Sequence, residues 1–235
     1  MKALFSIVKR LFRKDDTTLK EVIEPMSKTD DQSLISEKTE IAYGATHPGL
    51  KRQNNEDAFK ILFDKVFIVA DGMGGHQSGE VASQRAVQII SEYFTEKLLS
   101  HLKKNPSEIE KTLKEAIEHA HEEVKKISET KPEYQGMGTT VVLAYIEDKT
   151  LYTAHIGDSR VYVIDNKTIT QITNDHSIVW ELYKAEKITK EEARLSSLKN
   201  RITQALGYSP NLAIESNTYT LKEGDLILLC TDGLW

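Results

Sequence analysis

The chain has 235 residues, a formal net charge of -5, 39% hydrophobic and 29% charged residues. That balance suits a soluble globular protein with its own core, and it lacks the basic surplus of a protein that tracks nucleic-acid phosphates. A single cysteine, Cys230, excludes an intrachain disulfide, and no apolar stretch approaches the roughly 20 residues that cross a bilayer, so the compartment reads as cytoplasmic.

Residues 1–14 place Leu4, Ile7, Val8, Leu11 and Phe12 at helical spacing among Lys2, Lys9, Arg10, Arg13 and Lys14. The pattern fits a short amphipathic basic helix in peripheral contact with an anionic membrane, and equally an N-terminal extension with no membrane role. Residues 15–40 are polar and charged and read as a flexible linker. From Ile41 the pattern is globular. Strands are expected at 57–62 and 66–70, helices at about 79–104 and 108–130, with Val87, Ile90, Leu98, Leu113, Ile117 and Val124 facing inward. A block of strands follows at 139–146, 151–156, 160–164 and 168–172, joined by short polar turns that favour antiparallel hairpins. A helical stretch at about 176–206 precedes strands near 213–220 and 226–230. This order is not a regular βαβ alternation and argues for an α+β layered protein with mostly antiparallel sheets.

Three acidic residues sit at strand ends. Asp71 closes the apolar run Val66–Ala70 and opens Asp71-Gly72-Met73-Gly74-Gly75-His76; Asp232 follows Leu226–Cys230; Asp158 lies in the turn His155-Ile156-Gly157-Asp158-Ser159-Arg160. A strand end holds a carboxylate rigidly at a solvent-facing rim, and glycines expose carbonyl oxygens at close range, which is the chemistry hard divalent cations require. Each Asp-Gly alone is more often a plain turn. If the strands are neighbours, however, the carboxylates repel one another unless cations neutralise them. Upstream, Arg52-Gln53-Asn54-Asn55-Glu56-Asp57 offers a planar guanidinium suited to phosphate and two further carboxylates.

Taken in order, Arg52-x-x-Asn55-Glu56-Asp57, Asp71 to His76 with Gly79-Glu80 and Ala82-Ser83, Gly136-Met137-Gly138-Thr139-Thr140, His155 to Arg160, Thr173-x-Asp175-His176-Ser177, Asn200 to Gly207 and Thr231-Asp232-Gly233-Leu234 resemble the metal-dependent protein Ser/Thr phosphatases (the PPM or type 2C family) in their bacterial form. The resemblance covers about 41–235. It implies a sandwich of two antiparallel sheets flanked by helices, in four αββα layers, and hydrolysis of phosphoserine and phosphothreonine in opposition to a bacterial Ser/Thr kinase.

It also implies roles for single residues. Asp71 matches the aspartate that bridges two Mn²⁺ or Mg²⁺ ions, with the Gly72 carbonyl and Asp232 each on one of them. Glu56 and Asp57 match acids that reach the ions directly or through water. Asp158 matches a ligand of a third, weaker ion, and Arg52 the phosphate-binding arginine. His76 reads first as a structural imidazole near the site, with a general acid as the alternative; a metal-bound water is a further source of the leaving group's proton. Residues 176–206 match a mobile flap, where Ile178, Val179, Trp180 and Leu182 either meet a substrate protein or form the inner face of the lid. The partners implied are phosphorylated proteins, not nucleic acid, and the chain reads as a monomer. The family continues past Asp-Gly-Leu-Trp to a metal-binding Asp-Asn dipeptide, so the sequence reads as cut short at Trp235. The alternative is a weakly active short form that regulates by binding phosphoproteins.

Overall fold

A computed structural model describes residues 6–10, 35–39, 41–75 and 78–235. The strands are β1 (Ser6–Arg10), β2 (Ile35–Lys38), β3 (Ala42–Thr46), β4 (Asp57–Leu62), β5 (Val66–Met73), β6 (Gly138–Thr139), β7 (Val141–Glu147), β8 (Thr150–Ile156), β9 (Arg160–Ile164), β10 (Ile169–Gln171), β11 (Glu215–Thr220) and β12 (Leu226–Cys230). The helices are α1 (Ser78–Tyr93), α2 (Glu96–Lys104), α3 (Ile109–Thr130), α4 (Ile178–Lys184) and α5 (Lys190–Leu195). One sheet runs β10-β9-β12-β1-β3-β2; the other runs β11-β8-β7-β5-β4, with β6 paired to β5. The pairings are antiparallel throughout, as expected for an α+β sandwich.

Strand alternation builds two cores from the same strands. On β5, Val66, Ile68 and Ala70 pack with the helices, while Phe67 and Val69 pack toward the opposite sheet. On β7, Val141, Leu143 and Tyr145 face the helices and Val142, Ala144 and Ile146 the other sheet. Each strand is therefore apolar on both faces. A two-residue side-chain period then feeds a helix–sheet layer and a sheet–sheet layer at once.

The helical stretch expected at 79–104 is broken. α1 ends at Tyr93 and Thr95 caps α2, its side chain accepting the Leu98 N–H. The restart changes the helical phase, so Leu99 and Leu102 are the buried positions and Leu98 is only partly covered. The other inward candidates, Val87, Ile90, Leu113, Ile117 and Val124, are buried.

Two expectations at the N-terminus are corrected. Ser6–Arg10 is a strand, not part of a helix, and pairs with β12 on one side and β3 on the other. Two ladders satisfy its backbone groups, and tertiary pairing of that kind overrides a local helical spacing. The supposed linker contributes β2 at its end, paired with β3. The remaining residues of the expected helix, 1–5 and 11–14, and most of the linker, 15–34 and 40, lie outside the described residues.

Candidate active site

The cleft is built where one end of both sheets meets. Asp57 opens β4 directly opposite Asp71 on β5. Directly opposed residues of an antiparallel pair hold their Cβ atoms about 4.5–5.5 Å apart, so two carboxylates there repel unless a cation lies between them. Asp232 arrives from the other sheet, just after β12, and Thr231 donates its hydroxyl to Asp57 Oδ2 at 3.4 Å. Arg52, Asn54, Asn55, Glu56, Asp57, Asp71 and Asp232 line one small cleft with Pro48.

The loop that carries Arg52 and Glu56 is fastened by Asn55. Its Oδ1 accepts the Asp57 N–H at 3.1 Å, and its Nδ2 donates to Thr46 Oγ1 at 3.0 Å. A side-chain oxygen that captures the N–H two residues on is the turn-forming habit of asparagine. Arg52 is paired with Glu56 and keeps its side chain 41% exposed at the mouth of the cleft.

Gly72 is fixed by close approach. A Cβ there would lie 1.9 Å from the Gly79 carbonyl oxygen and 2.8 Å from that of Glu56. The Gly72 N–H donates to the Glu56 carbonyl at 2.9 Å, tying the Arg52 loop to the turn after β5. The start of α1 thus sits directly against this turn, which only a residue without a side chain allows.

The main chain of Asp71 is held by two threonines. Thr140 Oγ1 accepts the Asp71 N–H at 2.9 Å, while Thr139 Oγ1 and the Thr140 N–H donate to the Asp71 carbonyl, each at 2.9 Å. Thr140 Oγ1 is also 2.7 Å from Ser159 Oγ, the neighbour of buried Asp158. The hydroxyl pair links the Asp71 turn to the Asp158 turn. Asp158 itself is not among the residues lining the cleft. These hydroxyl contacts escaped the sequence reading. The Gly-Thr-Thr and Asp-Ser-Arg segments marked the places, but which partner a hydroxyl chooses depends on which strands become neighbours.

The expected flap is two short helices. Ser177 caps α4 by accepting the Trp180 N–H, and Ser177 and Ile202 form the bridge at which the flap leaves and rejoins the body. Thr189 and Glu192 form a reciprocal capping box at the start of α5. Val179 is buried and Ile178, Trp180 and Leu182 are half-buried, as an inward-packed lid face would be. Beside the flap, Asp175 takes a forked ion pair from Arg160, whose guanidinium lies 3.2 Å from the centroid of the Trp235 ring. His76 lies outside the described residues.

The donor set fits hard divalent cations. It consists of the carboxylates of Glu56, Asp57, Asp71 and Asp232. Oxygen-only sets of this kind suit Mg²⁺ and Mn²⁺.

Residues 44–235 match the family model described as protein phosphatase 2C. A serine/threonine phosphatase, stp, of Listeria monocytogenes is 37% identical over 195 residues, covering 80% of this chain and 75% of that one. Protein phosphatase PhpP of Streptococcus pneumoniae is 36% identical over 194 residues, covering 80% and 76%. Among solved structures, the Mycobacterium tuberculosis serine/threonine phosphatase PstP/Ppp superposes with a TM-score of 0.71 at 31% identity, covering 86% of this chain and 77% of that one. The catalytic domain of PstP in complex with two manganese ions gives a TM-score of 0.64 at 31% identity, covering 86% and 76%.

Proposed function

The chain belongs to the protein phosphatase 2C family of bacterial Ser/Thr phosphatases, and from that premise we propose that it hydrolyses phosphoserine and phosphothreonine in proteins at the cleft around Asp71. The observation that carries this reading is the convergence of Arg52, Glu56, Asp57, Asp71 and Asp232, from three separate stretches of chain, on one cleft. A phosphate dianion would be repelled by that many carboxylates alone, so the reading includes two Mn²⁺ or Mg²⁺ ions held by Asp71, the Gly72 carbonyl, Asp232, Asp57 and Glu56. Asp158 is assigned to a third, weaker ion.

Bound there, such ions supply Lewis acidity that acidifies a water and offsets charge on the phosphoryl oxygens. The protein's own part is orientation. Asp57 and Asp71 are fixed by strand register, Asp71 is further locked through its main chain by Thr139 and Thr140, and Asp232 joins them from the second sheet. Arg52, exposed at the rim, turns its fork of donors from Glu56 to the non-transferring oxygens of the phosphate. Water oxygen bonds to phosphorus as the P–O bond to the serine or threonine breaks, and the departing oxygen takes up a proton. Unaided, such monoesters hydrolyse so slowly that enzymes reach rate factors of up to about 10²¹, which calls for this degree of charge compensation.

On the same reading the substrates are phosphoproteins made by a bacterial Ser/Thr kinase and the enzyme works as a cytoplasmic monomer. No helix among the described residues is long and apolar enough to cross a membrane. Phosphate release from a phosphothreonine peptide tests the function. Turnover with Mn²⁺ that disappears with chelator and in Asp71→Asn is expected. Peptide binding without turnover at any metal concentration would overturn the enzyme reading in favour of a phosphoprotein-binding regulator.

A further inference from the structure

A second cluster of ligand-type side chains lies where β8, β11 and the first residue of the flap meet. His155, His176 and Glu215 each bring a ligand-type atom to within 4.8 Å of the others. Glu215 stands opposite His155 in the β11–β8 register. His176 anchors the flap root: its N–H donates to the Gly157 carbonyl at 2.9 Å, and its carbonyl accepts the Thr203 N–H at 2.8 Å.

His155 is the group that points to a ligand. It is fully buried, and its Nε2 lies 2.7 Å from the Asn174 carbonyl oxygen. A carbonyl oxygen only accepts, so Nε2 carries the ring proton and Nδ1 holds a lone pair. That Nδ1 is buried with no hydrogen-bond partner among the described residues. A backbone carbonyl on the far ring nitrogen is how metal-binding histidines are usually oriented. Glu215 is held in the same way, its Oε1 accepting from Asn174 Nδ2 at 2.6 Å and Asn217 Nδ2 at 3.2 Å. Asn174 therefore positions both the imidazole and the carboxylate. Burial lowers the pKa of His155, and that of His176 to about 4, so both rings are neutral and have a lone pair to give near neutral pH.

We propose that His155, His176 and Glu215 form a site for a divalent ion of the Zn²⁺ class that ties the root of the flap to the β11–β8 edge of its sheet. Two imidazoles and one carboxylate are a borderline donor set that favours Zn²⁺ or its neighbours over Mg²⁺ and Mn²⁺. The cleft around Asp71 offers oxygen alone, so the two sites select different ions. The cluster is poised rather than closed. Ligand atoms around a tetrahedral Zn²⁺ are about 3.3 Å apart, which the present spacing exceeds. His176 and Glu215 are only half-buried and must move in toward His155. The two rings are stacked with centroids 4.9 Å apart, so His176 must also turn its edge to the ion. A neutral imidazole has one lone pair; coordination therefore costs the 3.2 Å bond from the Gly157 N–H to His176 Nδ1.

Titration of the full chain with Co²⁺ in excess Mg²⁺ tests this without relying on turnover, so its outcome is independent of the phosphatase assignment. Mg²⁺ occupies oxygen sites and competes poorly for imidazole. The expected result is a visible ligand-field band of four-coordinate Co²⁺ that saturates at a single equivalent and is erased by Zn²⁺. It should be lost in both His176→Gln and Glu215→Gln. Circular dichroism checks that each variant folds; should His176→Gln fail, Glu215→Gln decides alone. Absence of the band in the unaltered chain, or its survival in a folded Glu215→Gln, overturns the proposal.

Discussion

Thr140→Val removes one hydroxyl and almost no volume, and it strikes the point where the Asp71 turn is held. The Asp71 N–H donates to Thr140 Oγ1 at 2.9 Å and the same oxygen is 2.7 Å from Ser159 Oγ, in a residue only 3% exposed. With valine there, the N–H and the serine hydroxyl both lose their partner in a place water does not reach. Leaving buried donors unsatisfied costs about 1–3 kcal/mol each, and the serine hydroxyl can rotate to limit its share, so a loss of about 1–3 kcal/mol is expected. For a chain of this length that lowers the melting temperature by roughly 2–12 °C. The turn would keep its grip on the Asp71 carbonyl through Thr139 Oγ1 and the Thr140 N–H, so it should loosen rather than unfold. Mn²⁺ affinity, measured by calorimetry without substrate, should fall with it, and Thr140→Ser should restore both quantities because it returns the oxygen. A Thr140→Val protein that melts and binds Mn²⁺ like the unaltered chain would refute the claim that this hydroxyl positions Asp71.

Further outcomes follow from single contacts. Gly72→Ala should abolish turnover and lower the melting temperature, since its Cβ would meet backbone atoms of Gly79 and Glu56 that have no free rotation to escape. Gly75→Ala, whose Cβ would meet nothing within 4 Å, is the matched control and should leave both unchanged. Arg160→Met strands Asp175, which is 4% exposed and among the described residues keeps only the Gln171 amide as a side-chain donor, so urea unfolding should show a loss of about 3 kcal/mol. Stability should also fall in mild acid. Burial lowers the pKa of His121, whose Nδ1 accepts the Gly207 N–H at 3.0 Å, so the unfolded chain takes up the proton first. Its contribution is complete above the unfolded value of about 6.5 and declines below it. Melting curves across that range should show a shallower pH slope in His121→Gln, and an unchanged slope would count against a neutral buried imidazole there.

Much of the fold was legible because its signals are local. The runs Val66–Ala70 and Val141–Ile146 announce strands buried on both faces, and the polar joints between 147 and 168 announce hairpins, because strand and turn preferences act over a few residues. The α2 restart at Thr95 was missed, since a threonine inside a helical pattern becomes a cap only when the chain bends there. The N-terminal helix failed for the opposite reason. Ile7 and Val8 suit a helix face or a strand, and two ladder partners more than 30 residues away decided between them.

The site divides along the same line. The sequence alone supplied the chemistry, namely which acids end strands, where glycines free the backbone, and an arginine spaced before Glu56 and Asp57. Residue types and short spacings carry that information directly. Only the tertiary structure decided that Asp57 faces Asp71 across two strands, that Asp232 reaches them from the other sheet, that Thr140 and Ser159 brace the turn, and that His155 is left beneath the flap with an unshared lone pair. Those relations depend on the register and stacking of strands far apart in sequence. Register is fixed by the summed burial of both sheets, not by any residue that benefits from it.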